Sequence, residues 1–224
     1  KEIEERVIEL LFPKKDYDGK TVLVTAGGTA EPIDPVRFIC NRSSGKMGFA
    51  IALAAADRGA HVIFVRGRTD AGIDDARFET IDVSTTREMY DAVLANVSRS
   101  DVIIKAAAPC DYRPRAAAKQ KIKSDALTLE LEKTEDIAAA AGKIKGGRKL
   151  VVFAAETENL ESNASAKLLK KNADLVVAND VTAEGAGFGT DTNIVTLIDR
   201  RGAEKLPIMP KRQLADVILD RISD

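Results

Sequence analysis

Thr21-Val22-Leu23-Val24-Thr25 runs into Ala26-Gly27-Gly28. After a polar stretch, Gly45-Lys46-Met47-Gly48-Phe49-Ala50-Ile51-Ala52-Leu53-Ala54-Ala55-Ala56-Asp57-Arg58 leads through Gly59 and Ala60 to His61-Val62-Ile63-Phe64-Val65. The first five residues are a β-branched run that reads as a buried strand entering a loop. The small-residue stretch reads as a helix closed by Gly59 at its C′ position. His61–Val65 is a second strand. Working outward, Phe78–Val83 reads as a strand, Thr86–Val97 as a helix and Asp101–Lys105 as a strand. Residues 111–125 carry Arg113, Arg115, Lys119, Lys121 and Lys123 without apolar periodicity, and predict a mobile loop. Alternation resumes with a strand near Leu127–Leu131, a helix from Asp136, a strand at Leu150–Ala154, a helix near Ser162–Lys171 and a strand at Leu175–Ala178. Asn193–Asp199 reads as a strand in a hairpin-like segment, and Lys211–Ile222 as a C-terminal helix. Strand–helix alternation at this spacing predicts an α/β fold: a mostly parallel sheet with helices on both faces.

Residues 1–12 place Ile3, Val7, Ile8 and Leu11 at helical spacing before Pro13, a linker helix cut from something longer. The expected division is a linker over 1–18 and one domain over 19–224. At 45% apolar and 31% charged, the 224 residues have ordinary globular composition. A net charge of −1 gives no overall nucleic-acid footprint, and no run is long and apolar enough to suggest a membrane span. The two cysteines, Cys40 and Cys110, fit a reducing compartment such as the cytoplasm. The single histidine, His61, opens an apolar strand and reads as structural, so Ser–His and Cys–His chemistry is disfavoured.

Ligands of open α/β sheets bind beyond the carboxyl ends of the strands. The first such loop does not match G-x-G-x-x-G. Its end, Asn41-Arg42-Ser43-Ser44-Gly45-Lys46-Met47-Gly48, opens a helix, and backbone N–H groups, two hydroxyls and the positive helix end would suit a phosphate. A serine N-cap would explain the same residues. No glycine stands five residues before Gly45, so this is not a Walker A loop. The basic loop with Lys119, Lys121 and Lys123 is either solvated or a lid that closes over a polyanion. Lys167 and Lys171 stand at i and i+4, pointing the same way with no acid on the turn between them, and suit a bound polyanion. Together these features describe a site for two phosphorylated ligands.

Asp34-Pro35-Val36-Arg37-Phe38-Ile39-Cys40-Asn41-Arg42-Ser43-Ser44-Gly45-Lys46-Met47-Gly48 resembles the signature of the phosphopantothenoylcysteine synthetase (phosphopantothenate–cysteine ligase) domain. In bacteria this is usually the C-terminal half of a bifunctional coenzyme A flavoprotein. Matching segments follow in order: Ala106-Ala107-Ala108, Asp111-Tyr112-Arg113, Lys121-Ile122-Lys123, Phe153-Ala154-Ala155-Glu156-Thr157, Ala178-Asn179-Asp180 and Gly187-Phe188. The resemblance implies a Rossmann-like, doubly wound domain with a mobile flap, which forms homodimers. It implies a reaction in which the carboxylate of 4′-phosphopantothenate attacks the α-phosphate of CTP with Mg²⁺, and L-cysteine then displaces CMP. FMN would belong to the decarboxylase half alone. By position, Asn41, Arg37, Ala108 and Lys121 match residues important for activity. Lys105, Ala106, Ala107 and Asp111 match the wall that reads the cytosine. Glu135, Asp136, Ile137, Ala138, Phe153, Lys167 and Lys171 match other nucleotide contacts. Ser43, Ser44, Gly45, Lys46 and Met47 are expected to hold phosphopantothenate. No metal ligand is assigned. Ser124, where the family's flap often has a further lysine, and Pro109 with Cys110 depart from the pattern.

A nicotinamide-dependent oxidoreductase is the rival on the same fold, since Arg66 and Arg68 would suit a 2′-phosphate. Its broken fingerprint counts against it. A non-catalytic nucleotide-binding module is the other rival.

Overall fold

A computed structural model describes residues 7–8, 14–70, 72–156, 160–180 and 189–223. The linker helix expected over 1–12, except Val7 and Ile8, and the matching residues Thr157, Gly187 and Phe188 lie outside the described residues.

In chain order the strands are β1 (Thr21–Ala26), β2 (Ala30–Pro32), β3 (Phe38–Cys40), β4 (His61–Arg66), β5 (Phe78–Asp82), β6 (Val102–Lys105), β7 (Tyr112–Pro114), β8 (Leu131–Lys133), β9 (Lys149–Glu156), β10 (Leu175–Asp180), β11 (Thr192–Asn193), β12 (Val195–Asp199), β13 (Gly202–Lys205) and β14 (Met209–Pro210). The helices are α1 (Lys46–Asp57), α2 (Thr86–Val97), α3 (Ile137–Ile144), α4 (Leu160–Lys170) and α5 (Lys211–Ser223).

The main sheet runs β13-β12-β10-β9-β6-β1-β4-β5. Its six members from β5 to β10 are parallel, and β12 and β13 add an antiparallel edge. Counted by sequence, those six strands stand in the order 3-2-1-4-5-6, the doubly wound Rossmann arrangement. Side chains alternate across each strand. Val22, Val24, Val62 and Phe64 therefore pack on one face with α1 and α5, while Leu23, Ile63 and Val65 pack on the other with α2, α3 and α4. Burial on both faces explains why these strands read as continuous apolar runs.

The order reverses at β1 and β6, which opens a crevice at their carboxyl ends. Helix α1 can lie close to β1 because Gly48 has no side chain: a Cβ there would sit 2.7 Å from the Ala26 Cβ and 2.8 Å from the Thr25 carbonyl.

Three local expectations are corrected. The strand expected at Leu127–Leu131 is instead β8, which begins at Leu131; Leu127 lies in no strand, and both leucines are exposed. The basic stretch 111–125 is not structureless, because β7 pairs with β8 and Pro114 is buried. A hairpin of β2 and β3 also occupies the long first loop, where no strand was expected.

Candidate active site

Two cavities open side by side at the crevice. The first, about 300 Å³, lies over the start of α1 and the ends of β6 and β9. The second, about 460 Å³, lies between the end of β6, the start of α3 and α4. They share a wall of Lys105, Pro109, Asp111, Phe153 and Lys167.

The first cavity is built on backbone geometry. Gly45 is the N-cap of α1 with φ 79°, and no side chain caps the helix. The N-cap itself is thus glycine and not serine, and the residues of the first turn of α1 line the cavity. Ser44 Oγ stands 3.4 Å from the Lys46 N–H, a marginal contact. Ser43, Ser44, Gly45, Lys46, Met47, Asn41 and Ala108 all line this cavity. After β6 the chain is sewn to the β1 loop: Ala107 N–H donates to Thr25 Oγ1 at 3.1 Å and Ala108 N–H to the Gly27 carbonyl at 2.8 Å. Asn41, just past β3, donates its amide to the Pro109 carbonyl at 3.0 Å, which fixes the amide's orientation beside Ala108.

Sequence reasoning gave no role to Asn179, Asn193 and Lys211 on this cavity. The buried Oδ1 of Asn179 has no hydrogen-bond partner among the described residues. Lys211 is buried and donates to the carbonyls of Thr190 and Thr192; burial, then the nearby Lys46, pushes its pKa down, while Asp191 opposes. Lys46 reaches the same segment, with Nζ 2.7 Å from Asp191 Oδ1 and 2.9 Å from the Gly189 carbonyl. The local signal for Lys211 was a cation at a helix N-terminus, where the helix dipole disfavours one.

Lys105, Asp111, Glu135, Asp136, Ile137, Ala138, Phe153, Lys167 and Lys171 all line the second cavity, whereas Ala106 and Ala107 face the first. Asp136 caps α3 by accepting the Ala139 N–H at 3.0 Å. It also pairs with Lys171: no acid stands on the turn between the two lysines, but one reaches Lys171 from 35 residues away. Lys171 itself lies just past the end of α4. Burial, assisted by Lys171 and Lys167 and opposed by Asp111 and Asp136, pushes the Lys105 pKa down to about 8.

Arg37 and Lys121 line neither cavity. Asp34 organises this region: its Oδ1 accepts the N–H groups of Val36 at 2.8 Å and Arg37 at 2.9 Å, and its Oδ2 accepts the Ile122 N–H at 3.2 Å. Burial pushes the Asp34 carboxyl up, but these N–H groups and the Arg37 charge together hold it below its ordinary value. Arg37 bonds the Ile122 carbonyl and stands 3.0 Å from Asp34 Oδ2. The basic segment is thus tied to the loop that leads into Asn41, and Lys121 is exposed upon it.

The nicotinamide reading loses its arginines. Arg66 is held by Asp82 at 2.6 Å and by the Ile73 carbonyl, and Arg68 stacks 4.7 Å over the Phe38 ring; neither lines either of these two cavities. His61 lies on the surface, 3.0 Å from Glu79. Among the described residues no group of three or more His, Cys, Asp or Glu side chains gathers to hold a metal. No helix among them is long and apolar enough to cross a membrane.

A family model described as the DNA/pantothenate metabolism flavoprotein C-terminal domain matches residues 17–224. The chain is 46% identical over 209 residues to the coenzyme A biosynthesis bifunctional protein CoaBC of Bacillus subtilis, covering 92% of this chain and 52% of that protein. It is 42% identical over 225 residues to the protein of the same name from Vibrio cholerae, covering 96% and 55%. The chain thus spans about half the length of these curated relatives. Among solved structures, the crystallised C-terminal domain of a CoaBC protein superposes with a TM-score of 0.81 at 40% identity, covering 94% of this chain and 97% of that one.

Proposed function

Because the chain belongs to the family of the DNA/pantothenate metabolism flavoprotein C-terminal domain, we propose that it is a phosphopantothenate–cysteine ligase. In this reading it joins 4′-phosphopantothenate to L-cysteine with CTP in coenzyme A biosynthesis. The observation that carries the proposal is the arrangement of the cavities. Residues matched to phosphopantothenate gather around one and most of those matched to the nucleotide around the other, and a single wall separates them.

In this reading the phosphate of phosphopantothenate sits on the open N-terminus of α1, where N–H groups and the helix dipole favour an anion. CTP occupies the second cavity, with its triphosphate against Lys167 and Lys171. Mg²⁺ arrives as the counter-ion of the nucleotide, keeping most of its waters and binding phosphate oxygens, so a dedicated protein cluster is not required. At the shared wall the carboxylate attacks the α-phosphorus and pyrophosphate leaves. The cysteine amine then attacks the acyl carbon of the cytidylate and CMP leaves. Asn41, held by Pro109, offers an amide that hydrogen-bonds without titrating, which suits stabilisation of the oxyanion formed in that second step. Arg37 and Lys121 act through the basic segment, which closes over the nucleotide and excludes water.

The bifunctional names of the relatives support a longer protein in which residues 19–224 are the ligase unit, 1–18 the linker, and an FMN-dependent decarboxylase the remaining half. A homodimer in the cytoplasm completes the proposal.

Phosphorus NMR of the protein with CTP, Mg²⁺, phosphopantothenate and cysteine tests it. CMP and pyrophosphate should form in equal amounts only when phosphopantothenate is present. CDP and orthophosphate as products, or turnover of NADP in place of CTP, would exclude the reading.

A further inference from the structure

Lys105 closes β6 at the boundary between the two cavities and lines both. The residue is half-buried, burial dominates the electrostatics of its amine, and it makes no hydrogen bond or ion pair among the described residues. Of the acids near it, Asp136 is already taken by Lys171. Asp111 lies within electrostatic reach without a direct contact. Lys167 and Lys171 on one side, and Lys46 and Lys211 across the first cavity, make this a cationic neighbourhood. A desolvated ammonium without an acceptor is costly, and nothing in the packing of β6 requires one. An anion placed at the shared wall removes that cost.

We propose that the Lys105 side chain binds the α-phosphate of the nucleotide at the junction of the cavities and offsets the charge that builds there. The proposal rests on the ligase reading. A carboxylate oxygen of phosphopantothenate forms a bond to the α-phosphorus, and the bond to the bridging oxygen breaks with its electron pair leaving on pyrophosphate. Lys105 keeps its proton throughout. The backbone around Lys105 matched a wall for the base; the side chain acquires a separate role at the reacting atoms.

Pyrophosphate release in a single turnover without cysteine isolates this step, because no amine or thiol substrate then titrates near the pH of interest. Lys105→Met keeps the length and apolar stem of the side chain, and Lys105→Arg keeps the charge at every accessible pH. Loss of one preorganised donor at a developing charge should slow release by about 10²–10³-fold in Lys105→Met. Binding of cytidine, which has no phosphate, and of phosphopantothenate should change far less. In the wild type, the single-turnover rate of pyrophosphate release at sub-saturating CTP should fall on the alkaline side as Lys105 loses its proton near pH 8, since the rate in that regime reports the free enzyme. Lys105→Arg should retain activity in excess of Lys105→Met and lose that alkaline limb. Wild-type protein that releases no pyrophosphate refutes the ligase reading itself. An active wild type with Lys105→Met within about threefold of it overturns the inference alone. If Lys105→Met does not fold, an alkaline limb left unchanged in Lys105→Arg overturns it equally.

Discussion

Lys171 is where the structure changes the expected outcome of a substitution most. Its ammonium is paired with Asp136, which also caps α3, and the lysine side chain is 14% exposed against 48% for the acid. Burial pushes the Asp136 carboxyl up, but the Lys171 bond and the Ala139 N–H together hold it below its ordinary value. Lys171→Gln therefore does two things to a bound triphosphate. It removes a charged donor, nominally about 1.5–3 kcal/mol, but nearer ~1 kcal/mol because the ammonium was shared with Asp136. It also leaves the Asp136 charge facing the phosphates, a repulsion of about 1 kcal/mol at a half-exposed site. CTP binding should weaken by about 2 kcal/mol, roughly 30-fold. Adding Asp136→Asn removes the repulsion while keeping a good helix cap, and should restore about fivefold of that affinity. Isothermal titration calorimetry with CTP and CMP on the three proteins separates the contributions, since CMP lacks the β- and γ-phosphates and should lose little. Equal losses for CTP and CMP, or a double variant no better than Lys171→Gln, would refute the placement of the triphosphate.

Asn41→Asp should release pyrophosphate once per site and fail to pass the acyl group to cysteine, because a carboxylate repels the oxyanion that the amide stabilised; product formed at the wild-type rate would count against that role. Arg37→Gln removes the bond to the Ile122 carbonyl, so trypsin should cut faster after Lys119, Lys121 or Lys123, and CTP with Mg²⁺ should protect less than in the wild type. Unchanged cleavage would mean Arg37 is no latch. Asp16 is held at about 2, chiefly by its bond to the buried Arg58. A folded value below the ordinary one stabilises the fold above about pH 4, and that stabilisation is lost as the pH falls towards 2. Asp16→Asn should thus cost up to about 2 kcal/mol at neutral pH and little near pH 2, read from thermal melts; the same loss at both would show the charge to be irrelevant.

What the sequence made legible depended on where each side chain's partner lay. Strands buried on both faces, such as Val22–Val24 and Ile63–Val65, announce themselves as apolar runs, and α2 was bounded by its own capping box between Thr85 and Glu88. The three-residue strands β2, β3, β7 and β8 carry no such signal. Arg113 lies in a basic stretch and pairs at 2.9 Å with Glu132 on β8, which only the fold brings near. The site followed the same division. The start of α1 was readable because Ser43–Gly48 are contiguous, and the gathering of Glu135–Ala138 with Phe153 and Lys167 was implied by resemblance. The bond from Asn41 to Pro109, the pairing of Lys171 with Asp136, and the entry of Lys211 into the first cavity each join distant segments, and no local pattern encodes them.

The chemistry at the shared wall can be tested by labelling. Phosphopantothenate with ¹⁸O in its carboxylate, incubated with the protein, CTP, Mg²⁺ and cysteine, should deliver one labelled oxygen to CMP and none to pyrophosphate, because the attacked atom is the α-phosphorus. Label in pyrophosphate or in orthophosphate, or in no phosphorus product at all, would contradict the acyl-cytidylate on which the account rests.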